Sequence, residues 1–235
     1  ITSKKKNFAK FKFSKLPNVM GILNLTPDSF SDGGKFNNSI KASIQIKKMI
    51  KAGAEIIDVG GESTRPGSKT VPPDQEWNRI KSVIKKFKKR YPRVYLSIDT
   101  RKSEIMRKAI KYKADIINDV SSFKYDSESF KKIKNTNTWK VIHHMQGNPN
   151  TMQLNPKYKN VLVHLLNFFN KQVKIAKDNG VTDIIIDPGF GFGKSLNHNY
   201  ELLKGISLFK EINCPILIGV SRKSMIYNIL NGNPN

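Results

Sequence analysis

Acidic residues are scarce in this chain: 18 Asp and Glu stand against 42 Lys and Arg across 235 residues, a formal net charge of +24 at pH 7. An excess of that size raises nucleic acid as a partner. The lysines, however, are spread along the helical stretches (Lys47, Lys48 and Lys51; Lys85, Lys86, Lys88 and Lys89; Lys108, Lys111 and Lys113). They are not gathered with Arg forks or stacking aromatics, the grouping that polyanion recognition uses. They read as solvated helix faces, and no nucleic-acid partner is expected. Cysteine is nearly absent. The lone Cys214 excludes an intrachain disulfide, fits buried packing and points to a reducing cytoplasm. The start at Ile1 leaves open a leader removed beforehand. Long apolar runs are missing too, and no signal-peptide core follows Lys4, Lys5 and Lys6, so no membrane span is expected. What is present, 38% apolar and 26% charged residues, suffices for the core of one large α/β domain.

Short apolar, β-branched runs recur at 19–25, 55–59, 94–98, 115–120, 139–144, 182–187 and 215–220. Most are separated by enough chain for a helix, the rhythm of βα units around a parallel sheet. The stretch 39–52 carries Ile40, Ile44, Ile46, Met49 and Ile50 on one predicted helical stripe, and 161–178 carries Leu162, Leu165, Phe169, Val173 and Ala176. Runs that are apolar almost throughout are strands buried on both faces. A barrel and a doubly wound sheet both satisfy this.

Side chains able to do chemistry stand where these runs end: Asn24, Asp58 with Glu62, Asp99, Asn118 with Asp119, Asp187, and Lys223. An open sheet gathers ligands at one switch point, whereas in a barrel every strand end looks into one mouth. The pattern favours a barrel. Capping and turn formation account for Asp119 and Glu62, but poorly for the whole set. Adjacent His143 and His144 point to opposite faces of a strand, which suits packing or a single hydrogen bond better than paired metal ligation. The segment 189–195 imitates a phosphate loop, yet Pro188 stands where that motif needs Gly, so no NTPase is implied.

The segments 24–34, 58–67, 187–194 and 219–224, with Asp99-Thr100, 117–119 and 144–149, resemble in order and spacing the dihydropteroate synthase family of pterin-binding TIM barrels. The likeness runs from Val19 to Ile226. It implies a (β/α)8 barrel over 19–235, preceded by a basic extension or hairpin over 1–18. It also implies a transferase that condenses a dihydropterin pyrophosphate with p-aminobenzoate in folate biosynthesis. By the same resemblance Asp187 accepts the pterin's ring donors and Lys223 donates to its carbonyl edge, with Asp99, Asn118 and Met145 as further contacts. Asn24 is the Mg2+ ligand. Asp32 lies on the first loop, Thr64 and Arg65 on a second loop that closes over substrate, and Asp32, Arg65 and Lys223 have the catalytic roles. Ser224 receives the p-aminobenzoate carboxylate, with Phe30, Pro66 and Phe192 packing its ring. Sulfonamide sensitivity and a homodimer through the later helices complete the expectation.

Arg101 and Ser103 depart from the family pattern, which commonly has a small residue and a proline there, and His143 is an unusual neighbour for His144-Met145. No eighth strand or following helix is found after residue 230, so the barrel is expected to lack them and the chain to be truncated. A methyltetrahydrofolate methyltransferase is the nearest rival reading. It gives no reason for the loop 26–32 or for the Ser-Arg-Lys-Ser of 221–224.

Overall fold

The computed structural model describes residues 17–26, 35–63, 68–147, 152 and 156–229. Strands and helices alternate: β1 (Met20–Asn24), α1 (Lys35–Lys51), β2 (Ile56–Gly60), α2 (Pro73–Arg90), β3 (Tyr95–Asp99), α3 (Ser103–Lys111), β4 (Ile116–Asp119), α4 (Ser129–Ile133), β5 (Trp139–His143), α5 (Val161–Asp178), β6 (Ile184–Asp187), α6 (Leu196–Lys204) and α7 (Ser224–Tyr227). A 3-10 segment, Ile206–Ile212, follows α6. The helix ends obey local chemistry. Pro73 opens α2, whose first turn holds Asp74 and Glu76 and whose last holds Lys88, Lys89 and Arg90, matching the helix dipole. Asn160 caps α5 by accepting from the Val163 amide at 3.0 Å.

The strands form one parallel sheet in the order β1 to β6. Two apolar layers flank it. The outer one lies between sheet and helices and includes Leu23, Ile57, Val59, Leu96, Ile98, Ile117, Ile142 and Ile186. Each fully buried aliphatic chain of this kind contributes about 1.5–3 kcal/mol. The inner one joins Ile56, Ile116, Val141 and Ile185 to Met20, Tyr95, Trp139 and Leu217. Met20 belongs to the first strand and Leu217 to the last apolar run, so the sheet curls until its two margins pack on one inner cluster. That curvature belongs to a barrel and not to an open sheet.

Two expectations need correction. The run at 215–220 does not make a full strand. It touches β6 through the Ile186–Ile216 bridge, with Ile186 N donating to Pro215 O and Leu217 N to Ile186 O. Among the described residues no strand flanks its other edge, so half its backbone groups gain no ladder partner, and Ile218 is 45% exposed. On α1, Ala42 and Ile46 are buried but Ile40 and Ile44 are 57% and 49% exposed. The predicted stripe is therefore narrower than its apolar residues. The α5 stripe is as expected, with Leu165, Phe169, Val173 and Ala176 buried. Most of the basic extension falls outside the described residues.

Candidate active site

In a parallel sheet, directly paired residues point to the same face, as do residues two apart on one strand. The pairs Ile22↔Asp58 and Asn24↔Gly60 continue as Asp58↔Ser97 and Gly60↔Asp99. Asp99↔Asn118, Asn118↔Val141, Val141↔Ile185 and His143↔Asp187 complete the row. Asn24, Asp58, Asp99, Asn118, His143 and Asp187 therefore share the inner face that carries Val141 and Ile185. Gly60 keeps the row open: a Cβ there would stand 3.3 Å from Asn24 Oδ1 and 3.4 Å from Asp99 Oδ2.

Part of this inner face is acidic and incompletely satisfied. Asn118 Nδ2 donates to Asp58 Oδ2 at 3.3 Å, while among the described residues Asp58 Oδ1 and Asn118 Oδ1 are buried without a hydrogen-bond partner. Burial raises the Asp58 carboxyl above its usual range, Ser97 and Asn118 oppose this, and Asp187 adds to it. Asp99 is pushed up further, by burial first and then by Asp58, Asp119, Glu76 and Glu62. Buried acceptors left unpaired are rare and invite a donor from outside the protein.

Beside Asp187 and Phe192 the site is cationic. The Lys223 ammonium donates to the Phe190 carbonyl and lies 4.7 Å from the centre of the Phe192 ring. Burial lowers its pKa, and the field of Asp187 works against that. Asp187 takes the Gly189 amide at 2.8 Å, so it is held by its own turn and not by an ion pair with Lys223. The following loop turns through Gly189, Gly191 and Gly193, all at positive φ. A Cβ at Gly191 would stand 3.1 Å from Lys223 Cδ, so glycine lets the lysine stem lie against the backbone. Behind this loop Lys194, 4% exposed, is drawn down to about pH 7 by burial, with Asp187 opposing and Lys223 assisting.

The expected residues sort as follows. Asn24, Asp99, Asn118 and Asp187 share the inner face, and Lys223 and Phe192 stand beside it. Met145 is half-buried just past β5, and Ser224 is exposed at the first residue of α7. Phe30, Asp32, Thr64, Arg65 and Pro66 lie outside the described residues. Asp58 was not among the expected substrate contacts, although strand alternation from Ile56 puts it inward. His143 uses its Nδ1 toward Val120 O at 3.3 Å and meets Phe192 edge-on at 4.7 Å, while His144 faces the helices. Their opposite orientations are as the strand period requires. Asp119 ties the next turn, accepting from the Ser121 and Phe123 amides. Glu62 accepts the Val71 amide at 3.0 Å and both Arg101 and Lys102 at 3.0 Å, so its role is structural but is not a helix cap.

A family model described as Pterin binding enzyme matches residues 20–235. The chain belongs to that family. Among the family's members, the dihydropteroate synthase of Escherichia coli is 45% identical over 221 residues, covering 93% of this chain and 78% of that protein. The Yersinia pestis dihydropteroate synthase, solved with a sulfonamide drug, superposes with a TM-score of 0.85 at 40% identity, covering 93% of this chain and 79% of that one. The Xanthomonas albilineans dihydropteroate synthase, solved with 4-aminobenzoic acid, gives 0.84 at 36%, covering 92% and 77%. The fold is that of these α/β barrels, and the activity is dihydropteroate synthesis, a transferase step of folate biosynthesis on small-molecule substrates. Among the described residues no helix is long and apolar enough to cross a membrane.

Proposed function

We propose that the acidic row and Lys223 grip the pterin of a dihydropterin pyrophosphate from two sides, and that p-aminobenzoate enters over Phe192. The observation that carries this reading is the pair of unpartnered acceptors, Asp58 Oδ1 and Asn118 Oδ1, on the same face as Asp99 and Asp187. A pterin edge is rich in N–H donors, and carboxylates aimed at it form charge-assisted bonds. Lys223, already donating to one carbonyl, supplies the matching donor for the ring carbonyl. In the reaction the bond between the pterin methylene carbon and the pyrophosphate oxygen breaks and its electron pair leaves with pyrophosphate. The p-aminobenzoate nitrogen then bonds to that carbon and loses a proton. Positive charge left on the pterin is stabilised by the nearby carboxylates within a site that excludes water.

Magnesium fits as the counter-charge for the pyrophosphate. Asn24 Oδ1 and Asp99 Oδ2 face the same gap over Gly60, and among the described residues no group of 3 or more His, Cys, Asp or Glu could hold a metal by itself. An ion that keeps few protein oxygens and takes the rest from phosphate and water suits such a donor set. When bound, it would screen the charge on the leaving group. Asp32, Thr64, Arg65, Phe30 and Pro66 join the reading through family likeness alone, as do Met145 as a pterin contact and Ser224 as the carboxylate's partner. A homodimer would cover the exposed Leu203 and Leu208 on the later helices, and the lone Cys214 suits a reducing cytoplasm.

Calorimetric titration of dihydropterin pyrophosphate into the wild type and Asp187→Asn tests the assignment. Truncating a buried hydrogen-bonded charge costs about 2–5 kcal/mol, so affinity should fall about 30-fold or more. Equal affinity in the two proteins would remove Asp187 from the site. In a separate titration of p-aminobenzoate into the wild type, a sulfonamide should compete.

A further inference from the structure

Lys194 makes no contact that the reaction requires, yet it is among the most completely enclosed charged groups in the molecule. Its ammonium donates to Gly189 O at 2.9 Å and Phe192 O at 3.0 Å, and faces His144 Nδ1 at 3.0 Å, with His144 O at 3.5 Å. An ammonium has three N–H bonds. Gly189 O, Phe192 O and His144 Nδ1 use all of them. His144 can serve as an acceptor because burial, assisted by Lys194, holds its imidazole neutral, with a pKa lowered to about 2.

The two carbonyls span the turn that follows Asp187, and the histidine sits at the end of β5. One side chain thus pins the loop 189–192 to the neighbouring strand. Other bonds hold the flanks: Gly191 N donates to Asn199 Oδ1 at 2.8 Å and Tyr158 OH to Gly193 O at 2.7 Å. Between these pins lie the Phe190 carbonyl, which receives Lys223, and the Phe192 ring, over which the Lys223 ammonium rests.

We infer that Lys194 is a positioning residue for dihydropteroate synthesis: by stapling the 189–192 loop to His144 it seats Lys223 and the Phe192 ring at the height the pterin and p-aminobenzoate require. This inference rests on the role given above to Lys223. Lys194→Met keeps the apolar stem and removes all three donors. It leaves His144 Nδ1 and Phe192 O without this donor and Gly189 O with the Phe192 amide alone, a loss the loop relieves by moving toward water. Because Lys194 acts through Lys223, the two residues are energetically coupled.

The test is a double-mutant cycle read by calorimetric titration of dihydropterin pyrophosphate, with Lys194→Met, Lys223→Met and the double variant. Lys194→Met alone should weaken binding about tenfold to a hundredfold, the scale of an ångström-sized misplacement. The double variant should bind no more weakly than Lys223→Met alone. Lys194→Gln, which retains two donors on a shorter stem, should lose less affinity and replaces the methionine variant if that does not fold. Unchanged binding in folded Lys194 variants, or losses that simply multiply in the double variant, would overturn the inference. If Lys223→Met itself binds like the wild type, the assignment of the pterin site fails first, and this inference falls with it.

Discussion

At the ends of β2 and β3, Glu62, Glu76, Arg101 and Lys102 neutralise one another. Lys102 Nζ lies 2.5 Å from Glu76 and 3.0 Å from Glu62, and Arg101 reaches Glu62 at 3.0 Å. Asp58 and Asp99 stand on the inner face of these same two strands, and Asp187 on that of β6, yet among the described residues they are not matched by cations in this way. The pKa directions follow the difference. Glu62 is lowered below its usual range, its cationic and amide partners outweighing the largest single influence, burial, whereas Asp58 and Asp99 are raised, with burial again first. A cluster whose charges pair holds the scaffold even with one oxygen, Glu76 Oε1, left without a hydrogen bond among the described residues, whereas buried carboxylates with no cation paired to them mark where a ligand supplies what the protein withholds. Gly61 shows how tightly the first cluster is tied in, since a Cβ there would stand 2.9 Å from the Glu76 carbonyl.

The strongest way to break this comparison is Lys102→Met. It strands the buried Glu76 and leaves Glu62 with Arg101 as its cation, and should lower unfolding free energy by about 3–5 kcal/mol in urea titrations. A loss below about 1 kcal/mol would mean that the cluster is not a compensated unit. A smaller effect of opposite sign is expected at the other group. Asp58 is raised above 3.8, so its ionised form opposes folding at neutral pH; Asp58→Asn should leave stability equal or raise it by about 1 kcal/mol while weakening pterin binding. A clear destabilisation would place Asp58 with the scaffold instead.

The smallest effect is in pH dependence. With folded-state pKa values raised above 3.8, Asp58 and Asp99 oppose folding when ionised, and that opposition fades as pH falls toward 3.8. Glu62 is the reverse: its contribution is complete above 4.5 and is lost as pH falls through its lowered folded value. Stability should therefore hold or rise between pH 7 and about 5, then fall below 4.5, with the upper part flattened in Asp58→Asn. Lys194 acts in another window. With a folded pKa of about 7 against 10.5, its burial cost is full below pH 7 and fades toward 10.5, so stability should climb with pH there, less so in Lys194→Met. Urea midpoints measured across pH 4 to 10 check both slopes.

Much of the site was legible in advance because it is written in strand ends. Asn24, Asp99, Asn118 and Asp187 close apolar runs, and a period of two forces them to one face whatever the helices do. Asp58 obeyed the same rule and was passed over only because it sits one residue pair deeper in its strand. The charge clusters were not legible: Lys102 meets Glu62 from 40 residues away, and Lys194 meets His144 from 50. Lys194 was further disguised by a glycine-rich setting that imitates a phosphate loop.

By itself the sequence determined the alternation of strands and helices, the side of the sheet each strand residue faces, and the family, because periodicity and motif spacing are properties of the chain alone. Only the tertiary structure decided which buried charges are matched and which are left open. It also decided that Ile40 and Ile44 stay exposed and that, among the described residues, the run at 215–220 pairs on one edge alone. These depend on what arrives from distant segments to fill or leave empty the space beside a group, and in a low-dielectric interior that neighbour sets the cost of every charge.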